Sequence, residues 1–239
     1  MNAADTTAGT NRIEFRNATR VLTSVLAPIE KRTLVWLAHR MPRWVNSDHL
    51  TALALAAMLM AGLSYWLASV TPVGLLLVVV CLAVNWFGDS LDGTLARVRD
   101  QQRPRYGFYV DHVVDIFGVL FLLGGLGLSG HMSLFVALGL LVAYMMLCVE
   151  TFLATYTRGT FTMSYFSLGP TELRIMLAIG NLAVLAHPTA EIFGYQFRLF
   201  DVGGVVAIAG LLFTLVFAAA RNGRALYLAE PIPGRAAGR

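Results

Sequence analysis

The chain has 239 residues, of which 57% are hydrophobic and only 13% charged, with a mean hydropathy of +0.66. That balance excludes an ordinary soluble domain and points to the membrane class. The formal net charge of +4 is modest, and because the arginines gather at the edges of apolar runs, a nucleic-acid-binding role is excluded as well.

Residues 1–11, MNAADTTAGTN, are small and polar, with neither a basic n-region nor an apolar h-region. They read as a disordered N-terminus and not as a cleaved signal peptide. Residues 12–43 carry seven of the eighteen Lys and Arg. There Ile13, Val21, Leu22, Val25, Leu26 and Ile29 recur at roughly helical spacing between Arg16, Arg20 and Lys31. This predicts an amphipathic helix, broken near Pro28, lying on an anionic membrane face, where Trp36 and the aliphatic residues find a place to bury. A solvated basic tail is the alternative.

Six spanning segments follow, judged against the roughly 20 residues needed to cross the hydrocarbon core. They cover about 49–70, 73–98, 107–128, 132–156, 173–186 (weaker) and 202–220. The predicted fold is therefore all-α: a polytopic membrane domain of six transmembrane helices over residues 44–228, preceded by the interfacial helix and followed by a disordered tail, 229–239. Thr71-Pro72 and Ser129-Gly130-His131 leave room only for tight hairpins between antiparallel helices. Seventeen Lys and Arg fall in segments that would share one side, and only Arg198 falls on the other. Cytoplasmic loops carry such an excess, so both termini are expected in the cytosol. Cys81 and Cys148 lie in apolar runs and read as packing residues.

The chemistry concentrates between Asp89 and Asp115, in DSLDGTLARVRDQQRPRYGFYVDHVVD. Asp89 and Asp92 are three apart and Asp111 and Asp115 four apart, so each pair shares one face of a helix. Two such helices joined by a basic loop bring four carboxylates together at the cytosolic end of the bundle. Converging carboxylates repel, and a divalent cation among oxygen ligands relieves this. Pairing with Arg97, Arg99, Arg103 and Arg105 as a rim network is the plainer alternative. It leaves Gly93 and Gly107 unexplained, because glycine inside a helix loses about 1 kcal/mol against alanine. Room for a ligand against the backbone explains them, with Ala96 keeping the face narrow and Arg97 supplying a cation for phosphate.

The pattern Asp89-x-x-Asp92-Gly93-x-x-Ala96-Arg97, nine residues, Gly107-x-x-x-Asp111-x-x-x-Asp115 resembles the motif of the CDP-alcohol phosphotransferase family. The resemblance implies a phospholipid-biosynthesis enzyme of the bacterial inner membrane that moves a substituted phosphate from a CDP-linked donor to an alcohol or lipid acceptor and releases CMP. It implies metal ligation by Asp89, Asp92, Asp111 and Asp115, with one or two Mg²⁺ or Mn²⁺ ions, and assigns Asp115 as general base. By the same likeness Gly93, Ala96, Arg97 and Gly107 line the donor site, and the protein is a homodimer among membrane lipids. Donor and acceptor stay open between CDP-diacylglycerol with a polar acceptor and a soluble CDP-alcohol with diacylglycerol. A divalent-cation transporter using the same acids is the rival reading, although transporters place ion sites near the midplane beside broken helices.

Other residues carry weaker expectations. Asn85, one turn before Asp89, orients a metal ligand or bonds another helix, and His112 points away from the acids. Glu150 and Arg174 are expected to pair across helices. Arg158, Glu172 and Arg174 are candidates for an acceptor pocket. Gly124, Gly125, Gly127, Gly203, Gly204 and the Ala52/Ala56 pair offer small-residue surfaces for close helix packing.

Overall fold

The helix boundaries follow from caps and prolines. The computed structural model describes residues 19–21, 26–162 and 169–230. A short strand β1 (Thr19–Val21) is followed by α1 (Ala27–Arg40), α2 (Ser47–Ala68), α3 (Val73–Val98), α4 (Pro104–Leu128) and α5 (Leu134–Arg158). Strand β2 (Thr160–Thr162), α6 (Pro170–Ala186), β3 (Thr189–Ile192), β4 (Tyr195–Arg198) and α7 (Leu199–Ala229) follow among the described residues. Asn46 caps α2 by accepting from the His49 amide at 2.9 Å, and prolines stand in the first turns of α1, α4 and α6, where a missing N–H costs nothing. Gly159 ends α5 in the left-handed region, at φ 66°.

Among the described residues five helices, α2, α3, α4, α5 and α7, are long and apolar enough to cross a membrane, and the chain is an all-α integral membrane protein. The fifth predicted segment is the exception. It forms α6, whose 17 residues rise only about 26 Å, short of the roughly 30 Å hydrocarbon core. Its second turn places Arg174 on Asp89, and the hairpin after it delivers Asp201 to the far end, where Asp201 accepts from the Ser133 amide at 2.6 Å. That β3–β4 hairpin is absent from the sequence reading. Phe193 and Gly194 both hold positive φ, 52° and 82°, the primed turn that suits a two-residue hairpin.

The amphipathic segment expected from residue 12 is helical from Ala27 onward, with Pro28 in its first turn. Thr19–Val21 instead pairs in parallel with Thr160–Thr162. The rest of its predicted start, residues 12–18 and 22–25, lies outside the described residues, as do 1–11 and 231–239.

At the centre α2 packs on α3 and α4, with α5 on α4 and α7, and α6 on α3. Glycines set the closest approaches. Gly62 of α2 and Gly125 of α4 meet backbone to backbone, and a Cβ on Gly88 of α3 would lie 2.6 Å from the Leu50 carbonyl oxygen of α2. Gly127 and Gly204 also face neighbouring side chains, whereas Gly124 and Gly203 face open space. Tyr65, Leu75, Val78, Leu122 and Leu126 fill the main core. Within it Asn181 of α6 donates to the Tyr65 hydroxyl at 2.8 Å. A second core, Leu34 and Ala38 with Leu50, Leu91 and Leu95, seats α1 against α3 and the head of α2.

Candidate active site

The two acid-bearing helices meet as their spacing predicts, but with a division among the four aspartates. Oxygens of Asp89, Asp111 and Asp115 lie within 4.8 Å of one another, all three side chains half-buried. Asp92 stands outside that trio. Its carboxylate accepts from the Thr51 hydroxyl at 2.6 Å and from the Gly93 amide at 2.5 Å, and the Ser47 hydroxyl bonds its backbone carbonyl at 3.1 Å. Asp92 is thereby anchored to the head of α2. Thr51 and Ser47 were not legible as partners, because a contact across 41 to 45 residues leaves no local pattern in the sequence.

Three ionised carboxylates at this spacing repel by about 3 kcal/mol per pair at an effective dielectric constant of ~20. A cation answers them from an unexpected direction. Arg174, from the second turn of α6, places Nη2 2.5 Å from Asp89 Oδ2 and Nε 2.8 Å from Asn85 Oδ1. Asn85 in turn donates to the Ala54 carbonyl oxygen at 3.1 Å, so it both bridges helices and orients the arginine. The Nη1 of Arg174 is buried and makes no hydrogen bond among the described residues.

The expected Glu150–Arg174 pair is therefore not formed. Glu150 accepts from Asn222 Nδ2 of α7 at 2.6 Å, and Arg158 donates to Asn222 Oδ1, which ties α5 to α7 below the site. The physical reason is position: Arg174 lies on the α3-facing side of α6, within reach of the denser negative charge. Glu172 caps its own helix, accepting from the Gly169 amide at 3.0 Å and the Leu26 amide at 3.1 Å. His112 stacks on Phe108 with 4.1 Å between centroids and bonds the Phe108 carbonyl oxygen, a packing role.

The small residues and Arg97 border the acids on the loop side. A Cβ on Gly93 would meet only Arg97 Nη1, at 3.5 Å, and one on Gly107 would meet nothing within 4 Å. Arg97 also bonds Thr94 Oγ1 at 2.9 Å. Beside Ala96 opens a cavity of about 470 Å³ lined by Ser47, Asp48, Gln101, Gln102 and Arg103. Arg103 grips both oxygens of Asp48 at 2.5 and 2.6 Å, and that hydrogen bond pushes its guanidinium above the usual arginine range. Thus neither glycine at the site meets backbone, unlike Gly62, Gly88 and Gly125.

With the trio, the flanking glycines and the arginines in place, the chain also matches the model of a known family over residues 44–216, described as CDP-alcohol phosphatidyltransferase. The chain belongs to that family. No curated protein matches it. Membership makes it a transferase of membrane phospholipid synthesis, working on a CDP-linked donor and an alcohol acceptor. The match and the one-ended position of the acids both count against the cation-transporter reading. Three carboxylates offering hard oxygen donors within 4.8 Å suit Mg²⁺ or Mn²⁺, so the residues present fit the family's divalent metal.

Proposed function

We propose that this protein transfers a substituted phosphate from a CDP-linked donor to an alcohol, releasing CMP, at the Asp89–Asp111–Asp115 cluster. The observation that carries the reading is the convergence of those three carboxylates from two helices. Asp89, Asp111 and Asp115, whose oxygens converge, would hold metal in this reading, and Asp92, bonded to Thr51, would complete the set from beside them. When bound, one or two divalent ions would neutralise charge building on the phosphates as the leaving group departs.

The chain's own groups do the rest. Gly93 and Gly107 leave the backbone open to the donor, and the cavity beside Ala96 takes its cytidine. Arg97, at the same rim, holds donor phosphate as a fixed cation. Asp115, one turn beyond Asp111 along α4, accepts the proton of the acceptor hydroxyl. The hydroxyl oxygen then bonds to phosphorus, the bridging phosphorus–oxygen bond breaks, and CMP leaves with its electron pair. Six membrane spans, α6 being the short one, a site facing the cytosol of a bacterial inner membrane, and a homodimer belong to the same proposal.

Two substrate pairings satisfy this chemistry. The buried, unbonded Nη1 of Arg174 offers a donor to a phosphorylated acceptor used with CDP-diacylglycerol. Diacylglycerol, accepting from a soluble CDP-alcohol, would leave it unused. The test is a panel of CDP-diacylglycerol and CDP-alcohol donors against polar alcohols and diacylglycerol, following CMP release with Mg²⁺ or Mn²⁺ present. Asp115→Asn is expected to retain donor binding and lose turnover by about 10²-fold or more, the usual worth of a general base. Normal turnover in that variant would remove the base assignment, and no CMP from any donor, alongside metal flux into liposomes, would remove the transferase reading.

A further inference from the structure

The flank of α3 beside Asp89 is clamped. Glu30, in the first turn of α1, uses one carboxylate oxygen to accept from three side chains on two other helices. Trp86 Nε1 lies at 2.8 Å, Ser90 Oγ at 3.1 Å and Thr171 Oγ1 at 2.8 Å. Trp86 and Ser90 flank Asp89 on α3, while Thr171 is one turn before Arg174 on α6. A second tie joins the same two helix heads, since Glu172 accepts from the Leu26 amide. At the other end of α1, Arg99 donates to the carbonyl oxygens of Met41, Pro42 and Val45 at 2.9, 3.0 and 2.5 Å. Between these ends Leu34 and Ala38 pack on Leu91 and Leu95. Helix α1 therefore lies as a splint along the segment of α3 that carries Asp89 and Asp92.

We infer that Glu30 is a positioning residue for the metal site: it fixes the rotation of α3 and the head of α6 so that Asp89 and Arg174 meet. The proposal rests on the transferase reading for its activity assay but not for its metal-binding assay. The leverage is geometric. An atom about 6 Å from a helix axis moves about 1 Å when the helix turns by ~10°, and a misplacement of ~1 Å can cost on the order of 10²-fold in rate. A burial role alone would not require three donors to converge on one oxygen.

The test compares Glu30→Ala and Glu30→Gln in the full chain, purified in detergent. Mn²⁺ binding is read by electron paramagnetic resonance and CMP release by initial rates. Glu30→Ala is expected to weaken Mn²⁺ binding at least tenfold and lower kcat by about 10²-fold. Glu30→Gln keeps an oxygen that accepts from the same donors, and it should restore both to within a few-fold. If Glu30→Ala does not fold, Thr171→Val severs only the α6 arm and should still weaken Mn²⁺ binding several-fold. Wild-type Mn²⁺ affinity and kcat in a folded Glu30→Ala, in Thr171→Val where Glu30→Ala fails to fold, or equal losses in Glu30→Gln and Glu30→Ala, would overturn the proposal. A wild-type protein that binds Mn²⁺ but releases no CMP would defeat the transferase reading instead, leaving the binding comparison intact.

Discussion

Replacing Gly88 with alanine tests whether the spacing of α2 and α3 seats the metal site. The added Cβ would stand 2.6 Å from the Leu50 carbonyl oxygen and 3.0 Å from both the Cβ and the amide nitrogen of Ala54. Ordinary carbon-to-oxygen contacts begin near 3.3 Å, so the helices must separate by roughly 0.7 Å. Overpacking of this kind typically costs ~1–3 kcal/mol, and alanine's better helix propensity returns about 1 kcal/mol. The net loss of stability is thus expected at ~0–2 kcal/mol. Function should suffer more, because the next residue is Asp89, and it would be carried away from Asp111 and Asp115 by a similar distance. A shift approaching 1 Å costs on the order of tens-fold in rate. The assay is CMP release in detergent micelles, alongside thermal unfolding of the same preparation. Wild-type rate together with wild-type Tm in Gly88→Ala would refute the reasoning, since the backbone contact would then not be what places Asp89.

Gly93→Ala should behave in the opposite way. Its Cβ meets only the flexible end of Arg97, so Tm should hold or rise by the equivalent of up to ~1 kcal/mol, while KM for the CDP-linked donor increases several-fold in steady-state rates. Arg174→Ala removes the cation from Asp89 and leaves Asn85 Oδ1 without its bond. Because both side chains of the pair are nearly a fifth exposed, the loss is expected at about 1–3 kcal/mol, below that of a fully buried pair. Added Mg²⁺ or Mn²⁺ should then raise the Tm of Arg174→Ala by more than it raises that of the wild type. An equal or smaller rise would mean that Arg174 and the metal do not answer the same charge.

Much of this protein is local and therefore readable in order. Runs of apolar residues near 20 long determined the α2, α3, α4, α5 and α7 spans, although α2 and α4 begin a few residues before the expected 49 and 107, at Ser47 and Pro104. The three- and four-residue spacings of the aspartates determined that each pair shares a face, and so Asp89, Asp111 and Asp115 converge. What the tertiary structure alone decided are the pairings across distance. Arg174 could join Glu150 or Asp89 as far as the chain order goes, and the placement of α6 against α3 chose Asp89. Asp92 was separated from its three companions by Thr51 on a different helix. Gly88 and Gly93 look alike in sequence, five residues apart. One is required by a neighbouring backbone and the other meets only the end of a flexible side chain, a difference that exists only once α2 has packed on α3. Glu30 reads as one acid in a basic helix, and only packing brings Trp86, Ser90 and Thr171 to its carboxylate. Periodicity records which face a residue is on, whereas the partner on the other side of that face is determined by the fold.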